Sequence, residues 1–111
     1  VVIKDGDNLL EHVLNYPNPF TTSTNFQFEH DLTSTELDIL ITIYTISGKV
    51  IKTIEATKYA TGFRIDDIHW DGTDDFGSDI GKGVYLYKIK ARSDEFNLLR
   101  ESEFEKLVIL K

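Results

Sequence analysis

Ile68-His69-Trp70-Asp71-Gly72-Thr73-Asp74-Asp75-Phe76-Gly77, followed at a short distance by Val84-Tyr85-Leu86-Tyr87, is the stretch whose reading decides the fold. β-branched and aromatic residues fit a pleated, half-buried surface, and Asp-Gly pairs bend the chain. The stretch therefore reads as a strand ending in the only tryptophan, an acidic turn-rich loop, and a second strand. Trp70 is expected at the centre of the core. Phe63 and Ile65 alternate on one parity and Ile68 and Trp70 on the other, which predicts a bulge near Asp66-Asp67.

Working outward, Phe26 and Phe28 alternate with Asn25 and Gln27, the pattern of a half-buried strand over 24–29. Leu37, Ile39, Ile41 and Ile43 share one face of the longest strand, with Leu40, Tyr44 and Ile46 on the other; a strand apolar on both faces is expected to be central, with a second layer over part of its outer side. Ser47-Gly48 predicts a two-residue hairpin turn, after which Val50, Ile51 and Ile54 carry the burial of the returning strand. Upstream, Asn15-Tyr16-Pro17-Asn18-Pro19-Phe20 is a rigid corner suited to a crossover between sheets, with Tyr16 and Phe20 turned inward. Residues before proline are extended, so His12 to Tyr16 reads as strand. Downstream, Tyr85, Tyr87, Ile89 and Ala91 line one face, residues 94–100 read as a loose polar turn, and Glu103 to Lys111 close the chain as a strand. Residues 1–11, opening on Val1-Val2-Ile3, read as a linker or first edge strand, and 12–111 as one domain. About seven strands with turns between them predict an all-β, two-sheet antiparallel β-sandwich. Its core is expected to hold Trp70, Phe26, Phe28, Ile41, Ile43 and Tyr85.

The chain has 111 residues, 41% hydrophobic and 28% charged, as in an ordinary globular domain. With no cysteine it has neither a disulfide framework nor a thiolate nucleophile. A formal net charge of −7 argues against nucleic acid and against electrostatic attachment to anionic lipid. No apolar run approaches the ~20 residues that span a bilayer. The chain opens on Val1 and reads as an excised piece of a longer protein.

Few residues suggest chemistry. Asp66, Asp67, Asp71, Asp74, Asp75 and Asp79 lie within fourteen residues, and calcium takes six to eight oxygens. The candidate ligands are Asp71, Asp74, Asp75 and Asp79, but their spacing is not that of an EF-hand loop. The competing reading is turn chemistry, in which each carboxylate bonds its own backbone. His12, His30 and His69 are scattered and do not make a zinc site; His69 is expected to be exposed and His30 to sit in a loop. Ser47, His69 and Asp71 can be assembled into a relay on paper, but no nucleophile elbow supports it. No cofactor is implied. Tyr59, Phe76 and Phe96 fall in loops, where a small exposed patch could bind a sugar. The final strand, apolar on both faces from Leu107 to Leu110, reads either as a buried edge or as a docking element, because an edge offers backbone groups to another chain.

Five ordered motifs carry a family resemblance: Asn15-Tyr16-Pro17-Asn18-Pro19-Phe20, Ile43-Tyr44-Thr45-Ile46-Ser47-Gly48-Lys49-Val50, Trp70 to Gly77, Gly83-Val84-Tyr85-Leu86-Tyr87-Lys88, and Lys106-Leu107-Val108-Ile109-Leu110-Lys111. Together they resemble the C-terminal sorting domains of type IX secretion, and also the immunoglobulin-like domain of the flagellar hook-capping protein. Within that group the chain is similar to the C-terminal domains of the gingipain-like cysteine peptidases that act as sortases of type IX secretion. The cues are Phe26-Gln27-Phe28-Glu29-His30, Asp66 to Gly72 and Glu101 to Lys111. The resemblance implies a non-catalytic, immunoglobulin-like sandwich of a Bacteroidota surface peptidase whose catalytic domain lies upstream. It implies docking, through Gly83, Tyr85 and Lys106, Leu107, Val108, Ile109, Leu110 and Lys111, to an outer-membrane barrel or translocon protein. The expected path is through the periplasm to the cell surface. One departure is Lys82, which precedes Gly83 where cargo tails often carry Pro or Ala. The alternatives left open are a hook-capping-type spacer and a calcium or carbohydrate module built on Asp71 to Asp79 with Phe76.

Overall fold

The computed structural model describes residues 9–111; the Val1-Val2-Ile3 run lies outside the described residues. Eight strands form two antiparallel sheets: β1 (Glu11–Tyr16), β2 (Thr24–Glu29), β3 (Glu36–Tyr44), β4 (Val50–Tyr59), β5 (Arg64–Trp70), β6 (Gly83–Ser93), β7 (Leu98–Glu101) and β8 (Glu105–Ile109). One sheet has the order β1-β2-β5; the other runs β4-β3-β6, with β7 and β8 both paired to the far side of β6. The immunoglobulin-like sandwich expected from the sequence is the one observed.

Strand β3 shows why the residues dictate this arrangement. Leu37, Ile39, Ile41 and Ile43 are at most 2% exposed, while Glu36 before them and Asp38 between them face water. With β4 on one side and β6 on the other, the strand is central. Burying each such aliphatic side chain stabilises the fold by about 1.5–3 kcal/mol. The opposing sheet contributes Phe26, Phe28, Ile65, Ile68 and Trp70. Trp70 sits where the sequence places it: Phe20 meets it edge-on at 5.7 Å, Phe26 lies at 6.2 Å, and Phe26 in turn meets Tyr87 at 4.9 Å. The indole N–H, buried with the ring, donates to Thr73 O at 2.9 Å. The bulge expected near Asp66-Asp67 is present, since Phe26 pairs with Ile68 and Phe28 with Ile65.

Several expectations change. There are eight strands: Leu98 to Glu101, of which Leu98 to Arg100 reads as turn, pairs with β6. The hairpin loop between β3 and β4 is wider than Ser47-Gly48, because the last pair is Tyr44 with Val50, and Thr45 N donates to Lys49 O. Phe20 is buried, but Tyr16 is 73% exposed, since β1 is an edge strand whose outward parity faces water. Tyr87 takes the core place expected of Tyr85, which is half-buried. Val50 and Phe63 lie largely in solvent. His30 lies in the loop after β2, as expected, and is buried there. Leu10, assigned to the linker, is 6% exposed and its N–H donates to Glu101 O at 2.8 Å. The apolar residues on the outer face of β3 have no second layer over them among the described residues; Leu40 and Tyr44 stay half-buried.

A one-residue bulge separates β7 from β8. Lys90 pairs with Glu101 and Tyr87 with Glu105, so the edge chain carries one residue more than β6 over that interval. Ser102 fills the gap: its N–H donates to Ile89 O at 2.7 Å and its Oγ accepts from Ile89 N at 2.8 Å. The irregularity turns Phe104 onto the outer face of the sheet, where its ring meets Tyr44 edge-on at 5.5 Å.

Candidate docking surface

The residues expected to dock fall into two groups. Leu107 and Ile109 are 0% and 1% exposed and belong to the core, so their side chains cannot meet a partner. Lys106, Leu110 and Lys111 are exposed, and Val108 is half-buried. Gly83 opens β6 with φ of 154°, a conformation that disfavours side chains, and the Tyr85 ring lies against it. The Tyr85 hydroxyl donates to Gly81 O at 2.7 Å, fixing the start of the strand.

Strand β8 does not present a bare edge. On the side away from β6, Asn18 uses its amide as a strand would use its backbone: Nδ2 donates to Lys106 O at 3.1 Å, and Oδ1 accepts from Val108 N at 3.0 Å. Phe20 continues the pattern, its N–H donating to Val108 O at 3.1 Å and its carbonyl accepting from Leu110 N at 2.9 Å. The proline corner therefore occupies the backbone groups from Lys106 to Leu110. Thr24 and Asn15 brace the corner from inside, through Thr24 Oγ1 to Pro17 O at 2.8 Å and Asn15 Nδ2 to Thr24 Oγ1 at 3.2 Å.

The acidic loop covers the opposite edge of the same sheet. Asp75 N donates to Ile51 O at 3.2 Å, and Asp75 Oδ1 accepts from Thr53 N at 3.1 Å. The other carboxylates are committed elsewhere. Asp71 Oδ1 accepts from Thr73 N and Oγ1, and the hydroxyl bond holds Asp71 below the usual carboxylate range. Asp74 Oδ1 accepts from Phe76 N and Ser78 N, and Asp79 Oδ1 pairs with Lys111 at 3.2 Å. The structure thus gives Asp71, Asp74, Asp75 and Asp79 four separate jobs. No three carboxylate, histidine or cysteine side chains gather into a metal cluster among the described residues. Inward on edge strand β4, Lys52 and Lys58 reach Asp74 O at 3.4 Å and Asp67 at 3.0 Å, a pattern that discourages pairing with a foreign strand.

The paper relay does not form. Ser47 Oγ bonds Thr45, His69 lies against Asn25 Oδ1, and Asp71 is held by Thr73. His69, Phe76 and Phe96 are exposed as expected; Tyr59 is exposed too, but as the last residue of β4, paired with Glu36, rather than in a loop. His30 Nδ1 accepts from Leu32 N at 3.0 Å, which fixes a neutral ring, and burial lowers its pKa. Beside it Arg100 grips Asp31 through two bonds at 2.9 and 3.2 Å and holds that carboxyl below its usual range. Sequence reasoning named Asn18 and Asp75 but not these contacts, nor that of Phe104, because each acts through a neighbour remote in the chain.

No curated protein matches the chain. Among solved structures, the chain is similar to the crystal structure of dimeric latent PorU from Porphyromonas gingivalis, with a TM-score of 0.76 and 28% identity. That match covers 88% of this chain and 9% of that one, so the chain spans less than a tenth of the protein it resembles. The model of the FlgD Ig-like domain matches residues 15–95, from the proline corner to just past the end of β6. The chain therefore belongs to the FlgD Ig-like domain family.

Proposed function

We propose that this module is the non-catalytic C-terminal domain of a larger, PorU-like surface peptidase, and that it docks its parent to an outer-membrane barrel or translocon protein of a type IX secretion system. The observation that carries this reading is the match to PorU, in which a sandwich of this shape occupies a small share of a long chain. The ordered sequence motifs that resemble type IX sorting domains point the same way. The peptidase chemistry is assigned to residues outside 9–111; the Ser47, His69 and Asp71 side chains are each engaged in separate bonds. Passage through the periplasm to the cell surface follows from the same reading.

The test removes residues 12–111 from the full parent protein in a bacterium with a type IX system. Surface display should be lost, measured by protease accessibility on whole cells. Normal display of the shortened parent refutes the docking role. Trimming Leu107 to Lys111 is a poorer test, because it deletes two core side chains. A second reading, a hook-capping-type spacer, is favoured by one observation: the family match ends at residue 95, before β7 and β8. It predicts that purified barrel protein does not retain the parent.

A further inference from the structure

The outer face of the five-stranded sheet is divided. At one end it is a lattice of opposite charges: Asp38 and Glu55 stand among Lys90 and Arg92, and Glu101 pairs with Lys90 at 3.7 Å. At the other end the register brings apolar side chains together. Val50 pairs with Tyr44, Tyr44 with Leu86, and Val84 with Val108, and directly opposed residues share a face. Phe104, turned out by the Ser102 bulge, packs on Tyr44. Val50, Val84 and Phe104 are 47%, 39% and 57% exposed. Contiguity sets this patch apart from scattered surface hydrophobics.

Its charges are not those of the chain as a whole. Lys88 lies over the Phe104 ring at 5.3 Å and reaches Glu101 at 4.0 Å. Lys106 is opposite Leu86, Lys49 precedes Val50, and Lys82 lies two residues before Val84; all three are exposed and make no ion pair among the described residues. The exposed carboxylates nearby are Glu103, beside Phe104, and Asp75, bonded to β4 at Ile51 and Thr53; the four lysines outnumber them. In a chain of net charge −7 this end of one face is apolar and rimmed by cations. Such a surface complements one that is apolar at its centre and acidic around it.

We propose that this lysine-rimmed end of the outer face, centred on Tyr44, Leu86 and Phe104, is where the module seats on a protein partner whose matching surface is apolar and acidic. The proposal rests on the docking reading above and moves the contact from the β8 edge, which Asn18 and Phe20 occupy, to the face beside it.

The experiment compares four forms of the full parent in cells: unaltered, lacking residues 12–111, Val84→Glu with Lys106→Glu, and Glu55→Ala at the opposite end of the same face. Melting of the 111-residue chain carrying each substitution checks that the fold persists. Surface display of the Val84→Glu, Lys106→Glu form should fall by about tenfold or more, the loss expected when central interface residues are spoiled, and Glu55→Ala should keep it. Full display of the double variant beside lost display of the deletion overturns this surface and leaves the docking reading standing. Full display of the deletion overturns both. Sedimentation of the 111-residue chain with phosphatidylcholine–phosphatidylglycerol vesicles separates the remaining occupant: binding that Lys106→Glu abolishes would replace the protein partner with a lipid surface, and no binding is expected.

Discussion

The proline corner and the acidic loop perform the same task at opposite edges of one sheet, with different anchoring. Both supply hydrogen-bonding groups to an edge strand, Asn18 and Phe20 to β8 and Asp75 to β4. The corner is rooted in the core, because Phe20 is 2% exposed and packs on Trp70. The loop also touches the core, at Ile80 and at Thr73 O, but its hold on β4 runs through exposed Asp75 alone among its carboxylates. Two guards with the same bonding pattern should therefore carry unequal stability.

The largest test is Phe20→Ala, which should cost about 3–5 kcal/mol by removing a buried aromatic and the anchor of the β8 cover; denaturant unfolding of the chain measures it. Next comes Asn18→Ala. Two surface hydrogen bonds at about 0.5–1.5 kcal/mol each predict a loss of about 1–3 kcal/mol. Local hydrogen exchange at Val108 N should accelerate with it. Asp75→Ala should cost no more than about 1 kcal/mol, as at other exposed polar sites. A loss from Asp75→Ala as large as that from Phe20→Ala would collapse the distinction between the two guards.

Smaller again are the pH effects. The folded pKa of His30 lies below an ordinary histidine's 6.5, because burial disfavours the charged ring. Below that pH the unfolded chain takes up a proton that the folded chain refuses. Stability therefore falls as pH drops from 6.5 until the folded pKa is reached. His30→Asn, which can offer an oxygen to Leu32 N, should flatten that slope in thermal melts. Glu105 behaves oppositely: burial, then Glu103, raises its pKa, so ionising it disfavours the fold as pH rises. Glu105→Gln should raise the melting temperature slightly at neutral pH.

What the sequence revealed depended on period. Alternation over Leu37 to Ile43 and at Phe26 and Phe28 placed the core faces, and the parity break at Asp66-Asp67 located a bulge, because a strand's side chains alternate regardless of context. Tyr16 and Phe20 are the instructive pair. Both are aromatics flanking the prolines, yet only Phe20 lies beneath the opposing sheet. Strand β7 was hidden because four residues, Leu98-Leu99-Arg100-Glu101, carry too little alternation to stand out from a turn. The candidate site was less legible still. Leu107 and Ile109 look like a docking stripe until the pairing with β6 shows them facing inward; alternation puts Phe104 on the other face with Val108, but its packing on Tyr44 is a contact that no local pattern announces.

The parallel bridges of Leu9 to Glu101 and of Phe20 to Ile109 have a mechanical consequence. Early and late segments of the chain run side by side in the same direction. A pull that separates the two ends loads the bonds at Leu10, Phe20 and Leu110 together, in shear, rather than peeling them one at a time. A module joined in this way is suited to bearing tension applied along its chain. In single-molecule pulling, Phe20→Ala should lower the rupture force far more than Asp75→Ala.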